Sequence, residues 1–306
     1  MADTSATCSS TSLAHDEPLF ATASLVRSWL LLEQPGTWGA DALGQSGVPA
    51  DVAHALYHRS VEHDVRVLLV RRPEPGSDGD DRRRCFVGHS APPDPWMEER
   101  TLDTVADVLA LDLAEVAADR RPGFGRPRED RLYAVCTNSR HDPCCGRLGR
   151  PIVDALAGVA GLGADSVWEC SHMGGERFAG NLLCFPHGLY FGRLDPASAR
   201  AVVAAYEHDE IELDHYRGRA GDPFVVQAAE HFARQRLGLR GVDDLVYEAH
   251  RRTGPGRVDV AFARRGGGLL RVGVAGAADP RPRALTCRAS DPSRPPSWSL
   301  VGVTEV

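Results

Sequence analysis

Short apolar runs, cut by polar segments rich in Gly and Pro, recur along the chain and predict a strand-rich α/β protein. Leu25–Glu33 is an apolar run of strand length, closed by the turn signal Gln34-Pro35-Gly36. Pro49-Ala50-Asp51 opens a helical pattern to about His63, and Val65–Val70 (VRVLLV) has the composition of a buried strand. Pro73–Asp81 reads as a polar turn into a strand at Arg84–Gly88, and Thr101-Leu102-Asp103 as the start of a helix reaching Leu113. After the punctuation Pro122–Pro127 a similar order returns. Leu132–Val135 reads as a strand, Gly149–Val159 as a helix and Ser166–Glu169 as a strand. Leu182–Phe185 and Leu189–Gly192 form a hairpin around Pro186-His187-Gly188. Asp195-Pro196 then places an N-cap and a first-turn proline before a helix to Tyr206.

Both stretches therefore read β-α-β-β-β-α, a weak internal repeat compatible with two thioredoxin-like halves. Beyond Asp222-Pro223 a helix from Phe224 to Arg236 precedes four strand patterns, at Val246–His250, Val258–Phe262, Leu269–Val274 and Ser297–Val303. The expected fold is thus α/β, with a small β-rich C-terminal region. The expected domains are residues 1–121, 128–240 and 241–306, which fits a chain of 306 residues.

Composition narrows the function classes. An apolar content of 42% with 25% charged residues is that of a soluble globular protein. A net charge of −7 argues against non-specific nucleic-acid binding, which wants a basic surface. All 35 basic residues are Arg, a bias read as one of coding composition. The N-terminus lacks the basic and apolar regions of a secretory signal, and Arg27 and Ser28 interrupt the most apolar early run. The expected location is the cytoplasm. Eight cysteines in a reducing compartment then read as thiols, metal ligands or redox groups and not as a disulfide framework.

The cysteines are also clustered. Cys136, Cys144, Cys145, Cys170 and Cys184 fall within 49 residues, with His141 and His172 among them, in short loops punctuated by Gly. Cys136 ends a predicted strand, Cys144-Cys145 precede the helix opened by GRLGRP, and His172 follows the next strand. Loops at strand ends are where α/β folds place ligands. Two thiolates and an imidazole brought together there would suit Zn²⁺ or an iron–sulfur cluster. Cys8, Cys85 and Cys287 lie far off in sequence and read as ordinary thiols. His54, His58 and His63 read as a surface helix, and Glu98-Glu99 as a charged pair on a solvent face. Arg140 and Arg177 stand beside the cluster, either to neutralise charge or as solvated, ion-paired side chains.

These residues carry a resemblance. Cys136 and Cys145 with Arg140 and Asp142 between them, then Ser171-His172-x-Gly174-Gly175-x-Arg177-Phe178-Ala179, resemble the sucrase/ferredoxin-like family. Glu33-Gln34-Pro35-Gly36-x-Trp38-Gly39, Tyr190-Phe191-Gly192-Arg193 and Tyr216-Arg217-Gly218-Arg219 extend the similarity over about residues 8 to 240. The resemblance implies a thioredoxin-like ferredoxin domain with a [2Fe–2S] cluster held by two cysteines and two histidines of an H-x-x-x-H motif. Carried over, the cysteines are Cys136 and Cys145, and the first histidine is His172. The fourth position falls on Glu176, a carboxylate where the family has histidine. Cys170, Cys184 and Cys144 stand as alternatives for it.

The implied function is one-electron transfer to a redox partner protein or to a bound acceptor such as a ferric chelate. Two other readings compete. One is a thioredoxin-like thiol–disulfide oxidoreductase built on Cys144-Cys145; the other is a zinc-stabilised interaction module, with Zn as cofactor. No P-loop, G-x-S-x-G or strand-borne G-x-G-x-x-G is present, and no carboxylate pair supports the sucrase of the family name.

Overall fold

The computed structural model describes residues 7–73, 82–163 and 165–305. The turn expected at Pro73–Asp81 falls, beyond Pro73, outside the described residues. A short helix α1 (Cys8–Ala14) is followed by β1 (Ser28–Glu33), α2 (Ala50–Glu62), β2 (Val65–Arg71), β3 (Arg83–His89) and β4 (Trp96–Leu102). A 3-10 turn at Val105–Ala110, α3 (Leu113–Ala117) and the two-residue β5 (Arg126–Pro127) complete this half. The second half holds β6 (Leu132–Cys136), α4 (Pro143–Ala157), β7 (Val167–Cys170), β8 (Leu182–Phe185), β9 (Leu189–Phe191), α5 (Pro196–Glu207) and β10 (Tyr216–Arg219). Helix α6 (Phe224–Leu237) leads to β11 (Leu245–Gly254), β12 (Arg257–Arg264), β13 (Leu269–Ala278) and β14 (Pro296–Glu305). The protein is a mixed α/β structure.

Strands β1 to β10 make one sheet, in the order β10-β9-β8-β6-β7-β2-β1-β3-β4-β5. In the first half β1 pairs β2 in parallel and β3 antiparallel, and β3 pairs β4 antiparallel. In the second half β6 pairs β7 in parallel and β8 antiparallel, and β8 pairs β9 antiparallel. The two equivalent strands β2 and β7 join the halves antiparallel, Val70 opposite Cys170 and Arg71 opposite Glu169. Strand alternation sorts the side chains into layers. Leu30 and Leu32 face α2, packing with Val52 and Leu56, while Trp29 and Leu31 face the other way. Trp29 and Phe185 meet edge to face, with centroids 5.1 Å apart. Their strands β1 and β8 are four steps apart, which in a flat sheet would be about 19 Å. The sheet therefore curls until its uncovered face closes on itself.

Strands β11 to β14 form a separate antiparallel sheet, whose inner residues Phe262, Leu270, Val272 and Val274 pack on Val226, Ala229 and Ala233 of α6. The connection from β13 to β14 returns to the N-terminal segment, where Arg283 meets Glu17 at 3.1 Å. Among the described residues no helix is long and apolar enough to cross a membrane.

Three local readings change. The helix expected from Thr101 is instead the end of β4, because Trp96–Leu102 pairs residue by residue with β3; only short helical turns follow. Helix α4 starts at Pro143 and not at Gly149, because the Asp142 side chain caps it and Pro143 fits its first turn. Glu98 and Glu99 are both buried. Glu98 accepts the amides of Phe124 and Gly125, and Glu99 binds Arg84, Arg126 and Arg128, so the pair is held by polar partners from a distant loop. The helix bearing His54 and His58 does present them to solvent.

Candidate metal centre

Strands β6 and β7 run parallel, so their C-terminal ends open onto one crevice. Cys136 is the last residue of β6, and His172 stands two residues beyond β7. Because α4 begins at Pro143, Cys144 and Cys145 lie in its first turn. The Cys136, Cys145 and His172 donor atoms come within 4.8 Å of one another. Cys145 Sγ lies 3.8 Å from His172 Nδ1. On the opposite edge of the ring, His172 Nε2 meets a Glu176 carboxylate oxygen at 3.3 Å. His141 stacks on His172 with centroids 3.7 Å apart and an angle of 12°, and its own Nδ1 lies 3.1 Å from the carbonyl of Ala40.

Two glycines make this convergence possible. A Cβ on Gly149 would come within 2.2 Å of the Cys136 carbonyl, so the residue lets α4 lie against the end of β6. Gly175 has φ +77°, and a Cβ there would meet the Arg217 guanidinium at 2.2 Å. Gly149→Ala should therefore push α4 away from β6 and cost about 1–3 kcal/mol, the range for overpacking. Thermal unfolding of the variant checks this; an unchanged midpoint would mean the helix does not need that approach.

The thiols and the imidazole are electrostatically coupled. The hydrogen bond from Cys145, with His172 adding to it and burial opposing, holds the Cys136 thiol well below its ordinary range. The same contact with Cys136, reinforced by burial, pushes Cys145 up. Burial pulls His172 down, but hydrogen bonds to Cys136 and Glu176 outweigh it and bring the imidazole to about 9. Glu176 is held below the usual carboxylate range: burial acts against this, and His172 overcomes it. The three shifts favour the charged forms of Cys136, His172 and Glu176. Metal binding would replace the protons of the pocket.

The other sequence candidates separate by position. Cys170 is in register with Cys136 but is buried in the apolar layer, and burial raises its thiol. Cys184 lies opposite Tyr133 and packs on the helix-covered face, away from Cys136. Cys144 points out of the pocket: its sulfur lies 3.8 Å from Cys8 and 3.6 Å from Cys287. Cys8 and Cys287, read from sequence as ordinary thiols of which the fold could bring one close, belong to a second cluster. His141, which lies between Cys136 and Cys145 in sequence, joins the group through its stacking on His172. Arg177 pairs with Glu17 at 2.9 Å, and Arg140 is exposed. A cavity of ≈ 510 Å³ runs from His141 and His172 to Tyr57, Val61 and Arg66, so the first half supplies the wall opposite the donor set.

Residues 19–218 match the model of the family described as sucrase/ferredoxin-like. A stretch of 106 residues is 31% identical to a protein of Eremothecium gossypii named "Altered inheritance of mitochondria protein 32", covering 31% of this chain and 34% of that protein. Over 95 residues the chain is 27% identical to the protein of the same name from Saccharomyces kudriavzevii, covering 28% of this chain and 30% of that one. The match thus spans about a third of these relatives' length. No solved structure matches the chain. These relatives correct the expected activity. Their name speaks of the inheritance of mitochondria and describes no carrier of single electrons, no thiol–disulfide oxidoreductase and no zinc-stabilised interaction module.

Proposed function

We propose, for a chain that belongs to the sucrase/ferredoxin-like family, that Cys136, Cys145 and His172 hold a metal centre beside the cavity shared by the two halves. The observation that carries this reading is the approach of two thiols and an imidazole to within 4.8 Å on three separate elements. Soft sulfur with borderline nitrogen is a donor set that iron–sulfur clusters and zinc accept. The [2Fe–2S] type fits the family resemblance, and one such cluster takes four protein donors. Glu176 and His141 are the nearest donors for the remaining position. At His172 Nε2, Glu176 also turns the ring so that Nδ1 faces the sulfurs, as second partners of ligating histidines do.

The matching strand order and directions in the two halves support reading each as thioredoxin-like, with the divisions at 1–121, 128–240 and 241–306. Thiols that serve as metal ligands fit a reducing compartment such as the cytoplasm.

The test is the metal itself. The full chain, purified without oxygen or reconstitution, is expected to carry iron and acid-labile sulfide. Cys136→Ser and His172→Ala should lose them and Cys184→Ser should keep them. Zinc without sulfide, lost in the same two variants, would turn the cluster into a single ion on the same donors. Iron or sulfide that survives Cys136→Ser, or a Cys136→Ser variant with the same metal content as the wild type, would overturn the assignment. Glu176→Gln should keep the site and weaken it about 10- to 100-fold, the range for a partner that orients a ligating histidine. Metal competition with a chelator measures this.

A further inference from the structure

A second sulfur cluster lies at the other side of the first turn of α4. Cys8 of α1, Cys144 of α4 and Cys287 of the β13–β14 connection bring their sulfurs together at 3.4 Å (Cys8–Cys287), 3.6 Å (Cys144–Cys287) and 3.8 Å (Cys8–Cys144). The Asp142 carboxylate joins them, with an oxygen 3.6 Å from Cys8 Sγ. We propose that Cys8, Cys144, Cys287 and Asp142 bind a divalent ion of the zinc class in a four-coordinate site, fastening the N-terminal helix and the β13–β14 connection to the start of α4.

The distances carry this. Tetrahedral zinc with Zn–S bonds of about 2.3 Å separates its sulfurs by about 3.8 Å, and a sulfur from a carboxylate oxygen by about 3.6 Å. The observed separations lie at those edge lengths or slightly inside them. As thiols the sulfurs can hydrogen-bond to the carboxylate and to one another, but as thiolates they would repel each other and Asp142, and a cation among them removes that repulsion. The supporting contacts are those of ligating thiolates. The Cys8 amide donates to Cys287 Sγ at 3.3 Å, and Ser9 Oγ donates to Cys144 Sγ at 3.2 Å. Asp142 is fixed from both sides, since one oxygen accepts the Cys144 amide at 2.9 Å and the other accepts the Cys287 amide at 2.8 Å. Each oxygen keeps a lone pair for an ion. Cys8, Asp142 and Cys144 are buried, whereas Cys287 is exposed and gives the ion its way in. An ion shared by residues 8, 144 and 287 would close very long loops, the case in which a cross-link restrains the unfolded chain most.

This site is independent of the centre on Cys136, and the variants separate the two. The metal content of the full chain, expressed with zinc available, is compared with that of Cys287→Ser and Cys136→Ser. Cys287→Ser is expected to lose a single zinc ion while retaining whatever the first pocket binds; Cys136→Ser should show the reverse. Should Cys287→Ser fail to fold, Co²⁺ added to metal-free Cys136→Ser decides the matter, because three thiolates on tetrahedral cobalt give a strong sulfur-to-cobalt charge-transfer band. Zinc retained in full by Cys287→Ser, no such band in Cys136→Ser, or a disulfide among Cys8, Cys144 and Cys287 in place of bound metal would overturn the proposal.

Discussion

Arg217→Met is expected to destabilise the fold by about 3 kcal/mol or more and to empty the pocket of Cys136 and His172, since at least three oxygens lose their donor at roughly 1–3 kcal/mol each. Arg217 is buried, and burial lowers its guanidinium to about 10, still charged at neutral pH. Its hydrogen bonds among the described residues go to uncharged oxygens. Its donors go to the carbonyls of Gly174 (3.2 Å) and Thr22 (2.5 Å), the Thr22 hydroxyl (3.0 Å) and Asn181 Oδ1 (2.9 Å). Asn181 in turn donates to the Gly175 carbonyl at 2.8 Å, so the guanidinium and the amide together set the loop that carries His172 and Glu176. The rings of Phe178 and Tyr190 flank the cation at 5.2 Å. Arg217→Lys keeps a charge but not the planar fork, and should fall between wild type and Met. Thermal unfolding read together with metal content tests this. A variant with an unchanged midpoint and full metal would show that the loop holds its shape without the arginine.

The parts that sequence could show are those in which local chemistry and tertiary structure agree. VRVLLV becomes β2 because its residues suit a buried strand whichever neighbour it finds. Cys136, Cys145 and His172 could be brought together on paper, since each sits near the C-terminal end of a parallel strand and the topology supplies the rest. The start of α4 carries a local signal as well. Asp142-Pro143 is the same cap-and-proline pair as Asp195-Pro196, and reading it would have moved Cys144 and Cys145 into a helix, whose geometry points neighbouring side chains apart. Other features had no local signal. The polar stretch around Glu98 and Glu99 becomes a buried strand only because Arg128 and the Phe124 and Gly125 amides arrive from elsewhere. Cys8 and Cys287 are 279 residues apart, and nothing in either neighbourhood announces the other.

A second large effect should come from Glu17, which joins the ends of the chain. Its carboxylate meets Arg177 at 2.9 Å and Arg283 at 3.1 Å and accepts Ser12 Oγ at 2.9 Å; Glu17 and Arg283 are both buried. Glu17→Gln leaves Arg283 with Asp279 as its remaining carboxylate partner, 2.9 Å away. Breaking a buried pair from one side costs about 3–5 kcal/mol, and the surviving Asp279 places this case at the lower end. Burial alone would raise the Glu17 carboxyl, but the Arg177 charge and the hydrogen bonds from Arg283, Arg177 and Ser12 hold it below its ordinary value. A carboxyl depressed in the folded state adds stability that is complete above its unfolded pKa, about 4.3, and is lost as the pH falls through the lower, folded value. The wild type should therefore exceed Glu17→Gln most at neutral pH, and the difference should shrink in acid as Glu17 itself becomes neutral. Unfolding midpoints of both proteins across the acid range measure it. A gap that stays constant down to the lowest pH would mean that the loss comes from packing and not from the charge that Glu17 offers its two arginines.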